Sequence, residues 1–519
     1  MSIEYDLVII GASQEGIFAA LAAASFKARV ALVEQPFKDC SDGLDAIFNR
    51  TLSHVTHLSK QLEIARQLGV YQPISHLEIQ LSQSQVWEQE AKAILAEQNS
   101  LATLAALGID VIRGSGEFCR LPRQAFIIEN RKLRSRSYLL ATGSHLVPKT
   151  IEGIERVGYL TPSDLCRKEV LESLARELAI IGSSPFAIQL AQNLRQTGRN
   201  IVLLIEDKQL LSTEDLEVAQ LIQAHLEASG IEILVDSQVT QIQQIEKKKW
   251  LQAGNRAIET DEIILVGKQQ PNIEGLNLEG VGVKISDRGI ELNHKLQTTN
   301  PNIYACGYLL NHLARYEARI AVKNALFFPL FKVDPQTIPD VMFTNPPIAR
   351  VGLTEAEAIT KYGKDVWVIK QNFKGIAIAQ LLGETTGFCK IIVRSNGEIM
   401  GAHIIGSQAE ELIGTITWAI KNRIKLNAFT DNFLPFTFSE ILLSCAFEWQ
   451  NRRLKRNTRL KRLLDFLLSW LRSFLNKFIK FISNETIIYC FGGNGWFWYV
   501  NTSHPFKRLF YRTRRTSNC

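Results

Sequence analysis

Short apolar runs alternate with helical periodicity along the first third of the chain. Strands are predicted over residues 6–10 and 29–33, with an alanine-rich helix over residues 17–26 between them. The turn before that helix reads Gly-Ala-Ser-Gln-Glu-Gly at positions 11–16, and the second strand ends at Glu34. Strand, glycine turn, helix and strand, with an acid about 20 residues beyond the turn, form the pattern of a dinucleotide-binding unit.

The residues of this first turn have separate physical tasks. Gly11 permits the tight turn, and Gly16 lets the helix approach the sheet closely. The helix N-terminus can hold a pyrophosphate, and Glu34 can accept a hydrogen bond from a ribose hydroxyl. Ser13 occupies the place where the pattern prefers a second glycine. An ordinary strand–helix turn without a nucleotide is the alternative interpretation.

The same order of elements recurs in the second third of the chain. The predicted elements are a strand over 178–181, a helix over 187–196 and a strand over 200–205 that leads into Glu206. The intervening turn reads Gly-Ser-Ser-Pro-Phe-Ala at positions 182–187. The chain therefore contains two candidate dinucleotide-binding units, of which one typically holds a flavin and the other a nicotinamide.

The second turn keeps only part of the glycine pattern. Gly182 is retained, Ser184 takes the middle position and the small Ala187 takes the last one. Glu206 would bond a free ribose 2′-hydroxyl and repel a 2′-phosphate, which favours NAD over NADP. Pro185 has no N–H, so this phosphate site has one donor fewer. A retained fold with an idle pocket is the alternative here.

The chain after about residue 336 has a different pattern of predicted strands and helices. Its predicted strands and helices are 366–371, 389–394, 399–405, 355–362 and 410–422. This mixture predicts an α+β domain. The fold class expected for the whole chain is α/β, with two Rossmann-like domains, an α+β C-terminal domain and a basic amphipathic C-terminal helix. The predicted boundaries are 1–150 and 273–335 for the two parts of the first domain, 151–272 for the second, 336–450 for the third and 451–519 for the tail.

Composition and charge limit the classes of protein that fit. The 519 residues are 46% hydrophobic, which excludes a disordered chain, and eight scattered cysteines do not indicate a disulfide scaffold. No secretory signal precedes the first strand, so a cytoplasmic location is expected. Residues 451–519 carry 15 Lys and Arg against Asp465 and Glu485, a net +13, whereas residues 1–450 carry a net −6. The positive charge of the tail therefore predicts an anionic partner.

Residues 463–483 of the tail are predicted to form an amphipathic helix. Its polar side chains fall within a sector of about 140°, opposite a stripe of leucine, isoleucine, phenylalanine and Trp470. This pattern suits the surface of a membrane, with the protein peripheral on its inner face. Packing of the stripe on the protein's own body or on a partner helix is the alternative. Nucleic acid is not an expected partner, because the aromatic residues lie on one face rather than interleaved for base stacking.

Several further segments, in the right order, resemble the pyridine nucleotide–disulfide oxidoreductase family in its mercuric reductase and dihydrolipoamide dehydrogenase branch. They are Ala141-Thr142-Gly143-Ser144, residues 299–307 ending in Cys306-Gly307, residues 316–325 and residues 343–354. The resemblance implies FAD bound near Thr142, Gly143 and Gly307, NAD(P)H in the second unit, and a homodimer. It also implies that the C-terminal domain completes the partner's active site.

The residues that carry out the family's disulfide chemistry are mostly replaced. Cys40 matches the first cysteine of the redox pair, but the second position is Asp45. The further correspondences are Asn49 for the lysine beside the flavin, Gln189 for its glutamate partner, Pro435 for the proton-shuttling histidine, Glu440 for the retained glutamate that would orient it, and Tyr308 for the aspartate that binds the ribityl chain. Without a dithiol, disulfide or mercuric-ion reduction by the family mechanism is not expected.

Three functional hypotheses follow from the sequence. The first is an FAD-dependent NAD(P)H oxidoreductase, with hydride passing to the flavin and then to a small non-disulfide acceptor such as a quinone; the candidate catalytic residues are Glu440 and, for the thiol chemistry of the third hypothesis, Cys40. The second is a non-catalytic dimeric binding or scaffold protein with weak or no flavin binding. The third is residual thiol chemistry at Cys40, which is otherwise an ordinary free cysteine. No metal site is predicted, because the cysteines and histidines lack ligand spacing.

Overall fold

Apolar residues at the start of the chain build a five-stranded parallel sheet, the first sheet, in the computed structural model of this protein. Its strand order is β19-β7-β1-β2-β3. The elements of this part are β1 (Tyr5–Ile10), α1 (Gln14–Ser25), β2 (Val30–Glu34), α2 (Leu44–Gln67), α3 (Leu81–Gln98), α4 (Leu101–Ala106), β3 (Asp110–Arg113), β4 (Gly116–Cys119), β5 (Ala125–Ile128), β6 (Arg131–Leu133), β7 (Ser135–Leu140) and β8 (Ser144–Val147). Strands β1 and β2 are almost wholly buried, as expected for the centre of a parallel sheet.

The structure describes residues 3–36, 44–70, 81–98, 100–120, 123–147, 149–286, 289–307, 311–430, 434–456, 458–484, 487–492 and 495–500. Residues 1–446 and 447–519 form two separate compact units. Two of the predicted site residues, Cys40 and Tyr308, lie outside the described residues, and so does the side chain of Asp45.

The second glycine turn belongs to a four-stranded parallel sheet, the second sheet, with strand order β11-β10-β9-β15. A three-stranded antiparallel sheet, β12-β13-β14, lies between β11 and β15 in the chain. The elements are α5 (Ile154–Val157), α6 (Pro162–Leu165), α7 (Lys168–Glu172), β9 (Glu177–Ile181), α8 (Pro185–Gln196), β10 (Asn200–Leu204), α9 (Leu216–Ala228), β11 (Ile231–Leu234), β12 (Val239–Ile245), β13 (Lys248–Ala253), β14 (Arg256–Thr260) and β15 (Glu262–Leu265).

The chain then returns to the first sheet. The elements of this return are β16 (Lys268–Pro271), β17 (Ile285–Ser286), β18 (Gly289–Ile290), β19 (Ile303–Ala305) and α10 (Asn311–Leu326). Strand β16 pairs with β8, and β19 pairs in parallel with β7 to complete the first sheet. Helix α10 contributes Ala318 and Ala321 to the same hydrophobic cluster as Ala19 and Ala23 of α1, so small residues let the two helices pack closely.

A third sheet, antiparallel and five-stranded, follows with strand order β20-β21-β24-β23-β22. Its elements are β20 (Asp340–Met342), β21 (Ile348–Gly352), α11 (Glu355–Tyr362), β22 (Val366–Asn372), α12 (Ala377–Leu381), β23 (Phe388–Arg394), β24 (Ile399–Ile405), α13 (Ala409–Lys421) and α14 (Glu440–Arg456). The strands and helices predicted in this part agree with the structure to within one residue at each end. The α/β fold class with an α+β C-terminal part is confirmed.

The second unit contains the predicted amphipathic helix and an element that the sequence did not predict. Helix α15 covers Thr458–Asn484, longer than the expected 463–483. No strand was predicted for residues 487–519, but β25 (Ile487–Gly492) and β26 (Gly495–Val500) pair as an antiparallel hairpin. The correction has a physical reason, because aromatic and β-branched runs flank the hairpin signal Gly493-Asn494. Within the described residues, every helix is too short or too polar to cross a membrane.

Candidate active site

The first glycine turn is built so closely that only glycine fits at two positions. Gly11 has a φ of +106°, and a Cβ there would lie 2.2 Å from the carbonyl oxygen of Ala141. A Cβ on Gly16 would lie 2.0 Å from the carbonyl oxygen of Gly11. Both distances are far inside van der Waals contact. The turn therefore brings the N-terminus of α1 against the end of β7, as a nucleotide-binding turn requires.

Ser13 serves as the N-cap of α1 rather than as a passive substitute for glycine. Its hydroxyl accepts from the Gly16 N–H at 3.3 Å and donates to the Ala141 carbonyl at 2.8 Å. Gly143 lies alongside, since a Cβ added there would be 3.8 Å from the Cβ of Ser13. The structure thus brings Gly11, Ser13, Gly16 and Gly143, all predicted FAD-binding residues, together.

Asn272 joins Thr142 and Gly143 to a cavity. Its side-chain amide donates to the Thr142 carbonyl at 3.0 Å, and its backbone N–H donates to the Gly143 carbonyl at 3.0 Å. Its Oδ1 lies 2.5 Å from His145 Nδ1. The cavity has a volume of about 720 Å³ and is lined by Gln35, Pro36, Ser115, Gly116, Glu117, Ile127, Glu129, His145, Asn272, Glu274 and Gly275. A volume in this range is that of a ligand pocket.

Glu34 at the end of β2 has a partner that the sequence did not reveal. The Arg113 Nε donates to Glu34 Oε2 at 2.6 Å, and both side chains are more than one-third exposed. The pairing follows from strand register, because Glu34 and Arg113 stand opposite each other on β2 and β3. Glu34 directly precedes Gln35 and Pro36, which line the cavity, and its carboxylate would accept a hydrogen bond from a ribose hydroxyl. These residues and the glycine contacts fit the adenosine and pyrophosphate of FAD.

A second acid, Glu15, lies over the glycine that the resemblance placed at the flavin. A Cβ on Gly307 would be 2.9 Å from the Cγ of Glu15, so the two residues are in contact. The Gly307 N–H donates to Glu317 Oε2 at 3.0 Å. Burial, and to a smaller degree the charge of Glu15, raises the pKa of Glu317. Tyr308 is outside the described residues, and the sequence interpretation overlooked Glu15 as a site residue.

The second turn repeats the geometry of the first. Gly182 has a φ of +154°, and a Cβ there would lie 2.8 Å from the carbonyl oxygen of Val266. Ser184 is the N-cap of α8 and accepts from the Ala187 N–H at 3.3 Å, while Pro185 occupies the first helical position. The buried Ala187 lies 3.5 Å from the position of a Gly182 Cβ. The small residue therefore allows close packing of helix and strand.

Glu206 is also paired with a base that the sequence did not reveal. Lys149 Nζ lies 2.5 Å from Glu206 Oε1, and both side chains are more than one-third exposed. The lysine places a positive charge next to the acid that would select a free ribose hydroxyl. An anionic 2′-phosphate would interact with that lysine, so the charge of this site is mixed.

The positions that correspond to the family's lysine and glutamate contact each other. Asn49 Nδ2 donates to Gln189 Oε1 at 2.9 Å, and Asn193 Nδ2 donates to Asn49 Oδ1 at 2.7 Å. Asn193 Nδ2 also lies 3.0 Å from Ser53 Oγ. Asn49 is 1% exposed and Asn193 is 3% exposed. These four residues form a neutral, hydrogen-bonded network between α2 and α8, here called the amide cluster.

The two predicted catalytic residues are not brought together with the glycine turns by any hydrogen bond within the described residues. Cys40 is outside those residues. Glu440 begins α14, and its Oε2 is buried with no hydrogen-bond partner among the described residues. The exposed Phe436, four residues earlier, has a φ of +59°, which is strained for a bulky side chain. A carboxylate with one buried oxygen unpaired among the described residues is what we expect where the histidine that it would orient is replaced by Pro435.

Comparison with known proteins identifies the relatives of this chain. Residues 5–322 match the family described as pyridine nucleotide-disulphide oxidoreductase, and residues 338–442 match its dimerisation domain. The mercuric reductase of Staphylococcus aureus is 29% identical over 447 residues, covering 83% of this chain and 80% of the relative. The dihydrolipoyl dehydrogenase of Chlamydia pneumoniae is 28% identical over 440 residues, covering 82% and 92% respectively.

A solved structure shares the fold. The HOCl-induced flavoprotein disulfide reductase RclA from Escherichia coli superposes with a TM-score of 0.72 at 23% sequence identity, covering 85% of this chain and 99% of that protein. The dimerisation domain supports a homodimer, and members of the family use FAD and NAD(P)H. Both the motif resemblance and the fold class predicted from the sequence are thereby confirmed. The chain belongs to the pyridine nucleotide-disulphide oxidoreductase family.

Proposed function

We propose that this protein is an FAD-dependent oxidoreductase that oxidises NAD(P)H and reduces a small acceptor that is not a disulfide. The observation that carries the proposal is the hydrogen bond between Asn49 and Gln189. It supports a site from which the charged pair suited to a flavin–thiolate relay has been removed, while both glycine turns are kept. FAD, when bound, supplies the two-electron relay between the nicotinamide and the acceptor.

The nucleotide-binding roles follow the geometry of each turn. Gly11 and Gly16 would admit the FAD pyrophosphate at the N-terminus of α1, with Glu34 on the adenosine ribose. Gly182, Ser184 and Ala187 would do the same for the nicotinamide cofactor. Glu206 favours NADH as the donor, although Lys149 beside it reduces the discrimination against NADPH.

A quinone is the acceptor that this chain's residues suit best. Reduction takes one hydride from NAD(P)H and one proton from solvent and yields NAD(P)⁺ and a quinol. Pro435 replaces the proton-shuttling histidine, and the neighbouring Leu434 and Phe436 are exposed apolar side chains in the segment before α14. If these residues complete the site of a partner subunit, they would offer an apolar surface to a planar, apolar acceptor.

Helix α15 supports a location at a membrane surface. Every described side chain of the helix is exposed, including Phe466, Trp470, Phe474 and several leucines. Trp470 and Phe474 stack at 5.8 Å between ring centroids, one helical turn apart on the apolar face. The tail's net charge of +13 would meet anionic headgroups. Such a location would give the protein access to a lipid-dissolved quinone.

Absorption spectroscopy of the purified full chain tests this proposal. We expect a flavin spectrum that bleaches on anaerobic addition of NADH, more weakly with NADPH, and returns on addition of a short-chain quinone. Dihydrolipoamide and mercuric ion should support no turnover, and Cys40→Ser should leave quinone reduction unchanged. A spectrum that stays unbleached by either nucleotide would refute the proposal. Loss of turnover in Cys40→Ser would instead favour thiol chemistry at that residue.

A second candidate function is a dimeric binding or scaffold protein with weak flavin affinity. The observation that favours it is that both capping serines bond an N–H at the start of a nucleotide-binding helix, Gly16 in one and Ala187 in the other. Glu15 also adds a negative charge beside the first phosphate site. A colourless dimer that takes up no FAD in calorimetry would establish this alternative.

A further inference from the structure

Five large apolar side chains are exposed on the first unit, one at the end of α1 and four in the loop after α10. Phe328 and Leu330 are each 73% exposed, and Phe327, Phe331 and Phe26 are each about half exposed. Phe26 and Phe327 meet edge to face, with ring centroids 5.5 Å apart, so the end of α1 and the loop after α10 form one surface. We call these five residues the aromatic patch. Single exposed apolar residues are ordinary, but a contiguous group marks an interaction site.

The loop that carries the patch is held in a fixed conformation. Asn324, which is buried, donates through its side chain to the backbone carbonyls of Lys295 and Phe331. Its Oδ1 accepts from the Phe331 N–H at 3.0 Å. Buried Leu326 precedes the loop, and Val333 after it donates its N–H to His294. The exposed rings are therefore presented by an anchored loop, and their exposure does not come from a frayed end.

Three lysines adjoin the patch. Lys27 follows Phe26 at the end of α1, Lys332 follows Phe331, and Lys323 Nζ lies 5.1 Å from the centre of the Phe331 ring. Residues 323–333 contain two lysines and no acid. The next acid along the chain, Asp334, accepts a hydrogen bond from the Gln336 N–H and so caps the following turn. An apolar centre with a basic rim results.

The positive charge of the lysine rim distinguishes between two surfaces that could cover the patch, a second copy of this chain and an anionic lipid layer. In a two-fold contact between copies of this chain, the lysine rim would lie against an identical rim, which is unfavourable. An anionic lipid surface accepts the apolar side chains at the headgroup–acyl boundary and pairs the lysines with lipid phosphates. We propose that the aromatic patch is a membrane-docking surface of the first unit, which places Phe328 and Leu330 in an anionic lipid layer.

This surface is distinct from α15 and independent of the redox reaction, so its test needs no turnover. The full-length protein is mixed with vesicles of phosphatidylcholine containing about 30% phosphatidylglycerol, and bound protein is measured by co-flotation. Amide hydrogen exchange is followed for residues 25–28 and 326–333 with and without vesicles. We expect exchange to slow in both segments on anionic vesicles and to stay unchanged with phosphatidylcholine alone.

Two variants and one control localise the contact. Phe328→Asp with Leu330→Asp should lower the partition coefficient about tenfold or more, because carboxylates would enter the lipid layer. Lys27→Glu with Lys332→Glu should give a similar loss on anionic vesicles only. Ile245→Asp, at an exposed apolar residue of β12 in the three-stranded antiparallel sheet, should bind like the unaltered protein.

The same substitutions are repeated in a chain whose tail carries Leu467→Asp and Leu471→Asp. A loss in both backgrounds supports the docking surface, whatever α15 contributes. Unchanged partitioning of the Phe328→Asp, Leu330→Asp variant, or unchanged exchange in both segments, would overturn the proposal. A fall in oligomer mass of that variant without vesicles would also overturn it, because the patch would then be a contact between protein chains.

Discussion

Two partly buried polar clusters link the helices beside the second sheet to their neighbours, and the clusters differ in kind. The amide cluster, between α2 and α8, is neutral and held by hydrogen bonds alone. The other, here called the ionic cluster, consists of Lys390, Asp215, Glu217 and Glu355. In it the Lys390 ammonium, 2% exposed, lies 2.9 Å from Asp215 Oδ1, 2.5 Å from Glu217 Oε2 and 3.0 Å from Glu355 Oε2.

The comparison of the two clusters shows where this chain retains buried charge. The ionic cluster joins the start of α9 to β23 of the third sheet, far from either glycine turn in sequence, and it has a structural task. The amide cluster occupies the positions where the relatives' pattern has a charged pair. Asparagine and glutamine occupy those positions and bond each other, so the two helices stay in contact without a charge.

The largest effect is expected from removing the cation of the ionic cluster. Lys390→Met leaves the carboxylate of Asp215 buried without its partner, which should cost about 3–5 kcal/mol of unfolding free energy. Chemical denaturation of the full chain measures it. Lys370→Met is the matched control, since that lysine is about one-third exposed, pairs with the exposed Glu217 and lies over the Phe388 ring, so its loss should cost about 1 kcal/mol. Equal losses in the two variants would contradict the comparison.

The next largest effect is expected when a charged pair is introduced into the amide cluster. Asn49→Lys alone places an uncompensated ammonium in a buried site and should cost about 3 kcal/mol. Adding Gln189→Glu supplies a carboxylate at the other end of the 2.9 Å bond, and should recover about 2 kcal/mol in a double-mutant cycle. A coupling near zero would show that the two side chains no longer face each other once they are charged.

A pH dependence distinguishes two acids near the third sheet. Burial raises the pKa of Glu214 to about 7, against 4.5 for the exposed group. The folded state then binds the proton more tightly than the unfolded one, so stability from this group is present at low pH and is lost between about 4.5 and 7. The unfolding free energy of Glu214→Gln, relative to that of the unaltered protein, should therefore rise by about 2 kcal/mol between about pH 5 and about pH 8.

Glu217 is the control for that measurement. Its hydrogen bond to Lys390 lowers the pKa of this carboxyl, so its stabilisation is present above the unfolded pKa and is lost only as the pH falls further. Glu217→Gln should lower the melting temperature by a constant amount across the same pH range. A parallel slope for both variants would mean that Glu214 is not the titrating group.

The smallest effect concerns one hydrogen-bond donor in the amide cluster. Asn193→Ala removes the group that bonds the Asn49 side chain and the Asn49 carbonyl, and should cost about 1–2 kcal/mol. Thermal unfolding compares it with Asn422→Ala, whose exposed side chain bonds only the Trp418 carbonyl and should cost less than about 0.5 kcal/mol. A loss of stability as small as that of the control would show that the hydrogen bonds of the amide cluster contribute little to folding.

The sequence predicted most of the fold because its signals are local. Apolar runs located β1, β2, β9 and β10, and the helical periodicity located α13 to within one residue at each end. Helices α1 and α8 begin two or three residues before their predicted starts. The reason is that Ser13 and Ser184 were interpreted as substituted glycines, whereas each is an N-cap that opens the helix at once.

The parts of the site that the sequence did not reveal depend on contacts between distant residues. Arg113 pairs with Glu34 across 79 positions through parallel register, and Lys149 reaches Glu206 across 57 positions. Neither base carries a local signal. Glu15 could have been noticed, because an acid in the first turn of α1 would repel a pyrophosphate. The Asn49–Gln189 contact was accessible from the family correspondence of the two positions.

The edge position of β19 has a consequence for synthesis of the chain. Residues 303–305 pair with β7, whose other neighbour, β1, is among the first strands to leave the ribosome. During translation of everything between, β7 has an open side with unpaired amide groups and apolar neighbours, a template for association with other nascent chains. The first sheet is thus completed only after the second sheet has been synthesised. We expect the nascent chain to need chaperones most during that interval.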